Sequence, residues 1–153
     1  KVTEEGEPVD EKSIIRLPTK VDWPLIPEIT RDVDNPFLQQ VNASGHHWVV
    51  LADEAGNPLL LLDADAALRA ALLDKDTPYD IYKYCRRPLI IRDTDKTISE
   101  VIRHLKSLPS SSTEEDAAID YDAVLIWGDQ PRIITGADIL GKLLKGIQAS
   151  DLE

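Results

Sequence analysis

A hydroxyl, a guanidinium and a carboxylate occur close together near the end of the sequence, at Thr135, Arg132 and Asp138. A threonine followed three residues later by an acid is close to a capping box, in which side-chain oxygens accept hydrogen bonds from the free N–H groups at a helix start. A helix N-terminus also attracts anions, and a guanidinium binds phosphate in a bidentate manner. The stretch therefore predicts a helix cap that could also hold a phosphorylated ligand.

Two other groupings of reactive side chains are weaker candidates. His46 and His47 are adjacent on a predicted strand, where neighbouring side chains point to opposite faces, and no carboxylate or cysteine is spaced to complete a metal site. Cys85 and His104 lack an orienting third residue and a glycine-rich oxyanion loop. The sequence contains no Gly-x-Gly-x-x-Gly motif, P-loop or catalytic carboxylate pair. We expect no catalytic residue, metal or catalytic cofactor, and therefore no enzyme.

The charge of the chain excludes several partners. The net charge is −11, which argues against binding to nucleic acid or to anionic membrane surfaces. Residues 1–76 carry a net charge of −8 and residues 77–153 only −3, so an anionic ligand meets less repulsion in the second half. No apolar run approaches the roughly 18 residues that span a bilayer, so we expect a cytoplasmic protein without membrane insertion of this segment.

The elements that position Thr135 follow from local patterns. A turn at residues 128–131 precedes the short strand that contains Ile133, and Thr135 then begins a helix with an apolar face. Upstream, residues 89–91 form a predicted strand, Thr97 to Glu100 a capping box that opens a second helix, residues 109–120 a solvated loop and residues 124–127 another strand.

The first half repeats this order. Asn35 and Pro36 predict a helix start, Gly45 its end, residues 47–51 and 59–62 two buried strands, and Asp63 the cap of a further helix. Residues 56–63 match residues 128–135, which gives an internal repeat of about 72 residues. Because each half alone leaves a sheet face bare, pairing of the halves is the natural way to close a core.

The run from Ile133 to Leu140, Ile-Ile-Thr-Gly-Ala-Asp-Ile-Leu, resembles the end of a CBS (cystathionine-β-synthase-like) domain. The resemblance extends over residues 13–149 and implies an α/β fold, with two β-α-β-β-α CBS repeats packed about a pseudo-twofold axis, a tandem pair known as a Bateman module. It divides the chain into a flexible tail (1–12), a degenerate first repeat (13–77) and a second repeat (78–149).

The resemblance also implies a function. The chain looks like a regulatory module that binds an adenine nucleotide (AMP, ADP or ATP, the last with possible Mg²⁺) or S-adenosylmethionine and signals to a partner protein or an attached domain. Thr135 would contact phosphate or ribose, and Asp138 would accept hydrogen bonds from ribose hydroxyls. The ligand-binding residues implied in this way are Arg87, Pro88, Leu89, Arg132, Ile133, Thr135 and Asp138.

The two halves differ at the predicted site. Asp63 stands where the second half has Thr135, and Ala66 stands where it has Asp138, unless the alignment slips by one residue to Asp65. A carboxylate repels phosphate, so we predict that only the second-half site takes a phosphorylated ligand. The alternative is a dimerisation or protein-interaction module with no small-molecule ligand. CBS pairs commonly dimerise, so the resemblance implies a homodimer in either case.

Overall fold

The computed structural model describes residues 6–92, residue 100 and residues 123–138. The strands, in chain order, are β1 (Glu7–Pro8), β2 (Ile14–Arg16), β3 (Thr19–Lys20), β4 (Trp23–Pro24), β5 (Trp48–Ala52), β6 (Pro58–Asp63), β7 (Cys85–Arg86), β8 (Leu89–Ile91), β9 (Ala123–Ile126) and β10 (Arg132–Thr135). The helices are α1 (Pro36–Ala43) and α2 (Ala64–Leu72), with short 3₁₀ helices at Glu11–Ser13 and Ile81–Tyr84. The α/β class predicted from the sequence is confirmed.

The chain divides into two compact units, a first unit of residues 10–87 and a second unit of residues 1–9 together with 88–153. The sheet of the first unit has the order β2-β5-β6-β7. Strand β2 is parallel to β5, and the other two neighbouring pairs are antiparallel. With α1 before β5 and α2 after β6, these elements have the β-α-β-β-α order that the sequence predicts.

Local caps define both helices of the first unit. The side-chain Oδ1 of Asn35 accepts a hydrogen bond from the Leu38 backbone N–H at 3.0 Å, and Pro36 occupies the first helical turn. Gly45, at φ +70°, follows the end of α1. A carboxylate oxygen of Asp63 accepts a hydrogen bond from the Ala66 N–H at 3.0 Å at the start of α2. Each of these predictions is confirmed. The caps could be predicted because a capping side chain and the N–H that it accepts from lie only three positions apart.

Both faces of the central strands of the first unit are buried. Val49, Leu51 and Leu62 pack with the inner sides of α1 and α2, while Val50 and Leu61 on the opposite face have no exposed surface. This explains why the strand predicted at residues 59–62 has no polar break, since alternation requires one solvated face.

A long segment between β2 and α1 is attached to α2 and the loop after it by Arg31. Its guanidinium lies 5.5 Å from the ring centroid of Tyr79 and donates hydrogen bonds to five backbone carbonyls. The five acceptors are Ala70, Ala71, Asp74, Lys75 and Thr77. Because the last carbonyls of a helix have no partners within it, Arg31 stabilises the C-terminus of α2.

The sheet of the second unit has the order β1-β10-β9-β8. Strand β8 is parallel to β9, and β9 and β10 form an antiparallel pair, as β2, β5 and β6 do in the first unit. Residues 136–138 are helical and follow β10, as α2 follows β6. The two units therefore repeat one strand topology, whereas their predicted packing about a pseudo-twofold axis stays a prediction.

The pairing of β1 corrects the prediction that residues 1–12 form a flexible tail. Strand β1 pairs with β10, and Asp10 caps the 3₁₀ helix that follows. Gly6 is required here, because a Cβ atom would lie 2.1 Å from the Ile133 carbonyl oxygen and φ is +76°. Residues 6–12 are therefore part of the fold, and the first unit extends to residue 87, past the predicted repeat boundary at 77/78. Both differences arise because β1 and β7 have only two residues each, which is too short for a recognisable strand pattern.

Several sequence predictions lie outside the described residues. They are the tail at residues 1–5, the capping box from Thr97 apart from Glu100, the loop at 109–120, and the helix after Thr135 beyond residue 138. Among residues 6–92, 100 and 123–138, no helix is long and apolar enough to cross a bilayer.

Candidate functional site

The candidate site lies where β10 ends and the following helix begins. The Asp138 N–H donates to the Thr135 hydroxyl oxygen (Oγ1) at 3.3 Å, and the Thr135 N–H donates to Asp138 Oδ2 at 3.0 Å. The Thr135 hydroxyl also lies within hydrogen-bond distance of Oδ2, at 3.1 Å. These reciprocal contacts form a capping box, so the capping role predicted for both residues is confirmed.

The capping box leaves half of the Asp138 carboxylate available. Both contacts from Thr135 use Oδ2, and Oδ1 has no hydrogen-bond partner among the described residues. The Asp138 side chain is exposed at the start of the helix. A carboxylate oxygen has two lone pairs, so Oδ1 can accept hydrogen bonds from a polar ligand while Oδ2 keeps the carboxylate oriented.

Ile133 and Thr135 are brought to one face of the sheet, and Arg132 is not. Side chains alternate along β10, which puts Arg132 on the face opposite Thr135. Ile133 is buried and pairs with Leu125, two positions from the pair of Thr135 and Ala123. Ile133 therefore borders the site on the same face, as an apolar neighbour.

The Arg132 guanidinium contacts the edge strand. Its Nη2 donates to the Gly6 carbonyl at 2.6 Å, beside the pairing of Arg132 with Pro8. At the other end of β10, Thr135 lies about 10 Å away by strand geometry. A phosphate contact by Arg132 stays a prediction, and it would compete with the hydrogen bond to Gly6.

The three consecutive residues predicted at the entry to β8 differ in exposure and in the face of the sheet that they reach. Arg87 is exposed and ends the first unit, whereas Pro88 is buried and belongs to the second. Leu89 packs against Val124 and the apolar cluster on its side of the sheet. By alternation through β8 and β9 this is the face opposite Ile133, so only the backbone of Leu89 could contribute to a site on the Thr135 face. The ligand roles of these three residues stay predictions.

The register of the first unit settles which of its residues correspond to Thr135 and Asp138. Asp63 pairs with Trp48 as Thr135 pairs with Ala123. Ala66 donates its N–H to the Asp63 side chain as Asp138 donates to the Thr135 hydroxyl. The direct alignment therefore holds, and the slip to Asp65 does not. The first unit has no carboxylate at the position of Asp138.

His47 lies between two carboxylates at this position of the first unit. Its Nδ1 is 2.8 Å from Asp65 Oδ2, and its Nε2 is 3.3 Å from Asp63 Oδ1. Both ring nitrogens can donate only when the imidazole is protonated, and even then two negative charges face one positive charge. The sequence analysis missed this cluster, although pairing of the His47–Leu51 strand with the strand ending at Asp63 could have suggested it.

The remaining reactive side chains have structural partners. His46 Nε2 lies 2.7 Å from Asp10 Oδ2, and this hydrogen bond lowers the pKa of the Asp10 carboxyl from its usual value. In the part of the chain that the structure describes, no three His, Cys, Asp or Glu residues are grouped to hold a metal ion. Burial raises the pKa of the Cys85 thiol to about 12, which disfavours the thiolate needed for nucleophilic attack. His104 lies outside the described residues.

The comparisons with known proteins give one structural likeness. No family model matches the chain, and no curated protein matches it. Among solved structures it is similar to a CBS-domain pair with bound AMP from Klebsiella pneumoniae, at 14% sequence identity and a TM-score of 0.48. The likeness covers 94% of this chain and 97% of that chain.

Proposed function

We propose that the chain is a regulatory module that binds an adenine nucleotide or another adenosyl ligand at the end of β10 and transmits binding to a partner or an attached domain. The observation that carries the proposal is the half-used carboxylate of Asp138. Its Oδ2 is held by Thr135, and its Oδ1 has no partner among the described residues. A fixed carboxylate with one free oxygen suits the two vicinal hydroxyls of a ribose, which both donate hydrogen bonds.

The surroundings of Asp138 offer contacts for the phosphate and the base of such a ligand. The start of the helix after Thr135 favours a phosphate, because its first N–H groups and its dipole both attract negative charge. Ile133 offers an apolar contact for a base on the same face. From the family resemblance we expect Arg87, Pro88 and the Leu89 backbone to line the site, and AMP, ADP, ATP with or without Mg²⁺, and S-adenosylmethionine are the candidate ligands.

The first unit is proposed to take no phosphorylated ligand at its equivalent position. Asp63 and Asp65 place two carboxylates there against the one imidazole of His47. Two charges of the same sign about 4 Å apart repel by on the order of 4 kcal/mol near a protein surface. Phosphate bound beside Asp63 in a crystal of the complex would contradict this asymmetry.

Signalling would follow from differential affinity. A ligand that contacts both Asp138 and the β8 backbone favours the conformation in which those elements have the correct spacing. Ligand binding then raises the population of that conformation, and with it the population of any interface that requires the same spacing. The free-energy shift cannot exceed the difference in ligand affinity between the two conformations.

The decisive experiment compares ligands that differ by one hydroxyl. Calorimetric titration of the full chain with AMP and 2′-deoxy-AMP should give weaker binding for the deoxy ligand. Asp138→Ala should weaken AMP binding by about 1.5–3 kcal/mol, the value of a hydrogen bond to a charged acceptor. In Asp138→Ala the two ligands should then bind alike, because the acceptor that distinguishes them is absent.

Thr135→Ser is the matched control for this experiment. It retains the hydroxyl, the cap and Asp138, so AMP binding should be preserved. Thermal melting of each variant separates a loss of helix capping from a loss of binding. Equal AMP affinity in wild type and Asp138→Ala would refute the assignment.

A second candidate is an interaction module without a small-molecule ligand. It is favoured by the capping box itself, because helix capping alone is a sufficient role for Thr135 and for Oδ2 of Asp138. Absence of binding for AMP, ADP, ATP and S-adenosylmethionine, together with stable self-association, would support this candidate.

A further inference from the structure

The hairpin of β3 and β4 has a turn that its residues do not favour. Val21 and Asp22 have φ values of +51° and +61°, both in the left-handed region. Two-residue hairpins with this backbone normally use Asn-Gly or Asp-Gly, because a β-branched residue such as valine is strained at positive φ. Strain of this kind persists where the surrounding structure enforces it, and it is concentrated at functional positions.

The turn also presents an apolar side chain to solvent. Val21 is 93% exposed, and Leu25 just after the hairpin is 42% exposed. The base of the hairpin is held in place by Tyr82, whose hydroxyl donates to the Pro24 carbonyl and accepts from the Ile26 N–H. The exposed Val21 side chain, called the knob below, therefore projects from a hairpin whose base is fixed by Tyr82.

An apolar pocket opens beside the same segment of the first unit. Its volume is about 220 Å³, below the roughly 300–1,000 Å³ typical of small-molecule sites. Buried side chains of Ile15, Leu17 and Phe37 contribute to its lining, with Pro27 and Pro36. A pocket of this size and character suits an aliphatic side chain better than a cofactor.

The charges around the knob and the pocket are complementary. Lys20 and Asp22 flank Val21 in sequence, and Glu28 and Arg16 line the pocket. None of these four charged side chains has an ion pair or hydrogen bond with another described residue. A second copy that inserts its knob can therefore pair Lys20 with Glu28, and Asp22 with Arg16.

We propose that this surface is a homodimer interface in which each copy inserts Val21 into the pocket of the other. Because each copy carries both the knob and the pocket in one unit, a twofold axis can form the same contact twice, and such an isologous interface closes without further growth. The proposal goes beyond nucleotide binding and does not depend on it. The self-association below is therefore measured in nucleotide-free protein.

The test is a charge-reversal cycle on the full chain, followed by sedimentation equilibrium from micromolar to near-millimolar protein. Lys20→Glu and Glu28→Lys should each weaken dimerisation by about tenfold or more, because like charges then face each other twice per dimer. The Lys20→Glu/Glu28→Lys double variant should recover most of the affinity, because every copy carries both reversals. Lys75→Glu and Glu54→Lys are matched controls that change exposed charges outside the hairpin and pocket, and they should have no effect.

A second variant keeps the proposal falsifiable without loss of the fold. Val21→Asn combined with Asp22→Gly supplies the residues that this turn prefers, so the hairpin should remain formed while the apolar knob is removed. Dimerisation should fall at least tenfold, with thermal stability of the monomer retained. A wild-type chain that is monomeric at every concentration, or a dimer that is insensitive to these changes, would overturn the proposal and leave the pocket to another occupant.

Discussion

Arg31 gives the sharpest test of what holds the first unit together. Two of its five hydrogen bonds, to the carbonyls of Ala70 and Ala71, are partly buried, and three are exposed. At about 1.5 kcal/mol for each partly buried charge-assisted bond, and with the exposed bonds neglected, Arg31→Met should cost about 3 kcal/mol of unfolding free energy. For a chain of this size that lowers the melting temperature by roughly 6–12 °C.

The assay is urea and thermal unfolding followed by tryptophan fluorescence, since the Trp23 ring lies 5.4 Å from the Tyr82 ring, centroid to centroid, within the same unit. Arg31→Lys should recover only part of the loss, because a lysine ammonium cannot span acceptors as the guanidinium fork does. Arg69→Met is the matched control, because Arg69 is an exposed residue of α2 whose side chain has no hydrogen bond with the described residues. If Arg31→Met lies within about 1 kcal/mol of wild type, the carbonyl contacts do not stabilise the unit.

Two further predictions concern Gly6 and Cys85. Gly6→Ala should destabilise the second unit by about 2 kcal/mol or more in urea unfolding, because it adds a clash to a strained φ. Gly45→Ala is its control, since φ is also positive there but nothing lies within 4 Å of the added Cβ, so its smaller cost isolates the strain. Because burial raises its pKa to about 12, native Cys85 should react with iodoacetamide at pH 8 more than about tenfold more slowly than in urea. Native and unfolded rates within tenfold of each other would contradict this.

The parts of the fold that could be predicted from sequence are those set by short-range interactions. The caps at Asn35, Asp63 and Thr135 each depend on a residue three positions away, and the buried strands appear as unbroken apolar runs. The repeat of strand topology followed because the two halves share these local signals in the same order.

The missed features depend on contacts between residues far apart in sequence. Arg31 binds carbonyls about 40 residues away, and Tyr82 binds Pro24 across 58 residues. Strand β1 has only two residues and no hydrophobic alternation, so its pairing with β10 leaves no local pattern. The oxygen of Asp138 that the cap uses was likewise beyond sequence reasoning, because spacing identifies a capping box but not its geometry.

Because β1 pairs with β10, the two units can complete their sheets only at different times during synthesis. Strand β7 finds β6 about 20 residues back along the chain, so the first unit can complete its sheet from a continuous segment. The contact of Gly6 with Arg132 spans 126 residues, which at about 5–20 residues per second separates their synthesis by roughly 6–25 s. For that time residues 6–9 have no strand to join. A chain that ends before β10 would therefore contain every strand of the first sheet but would leave residues 6–9 without their partner strand.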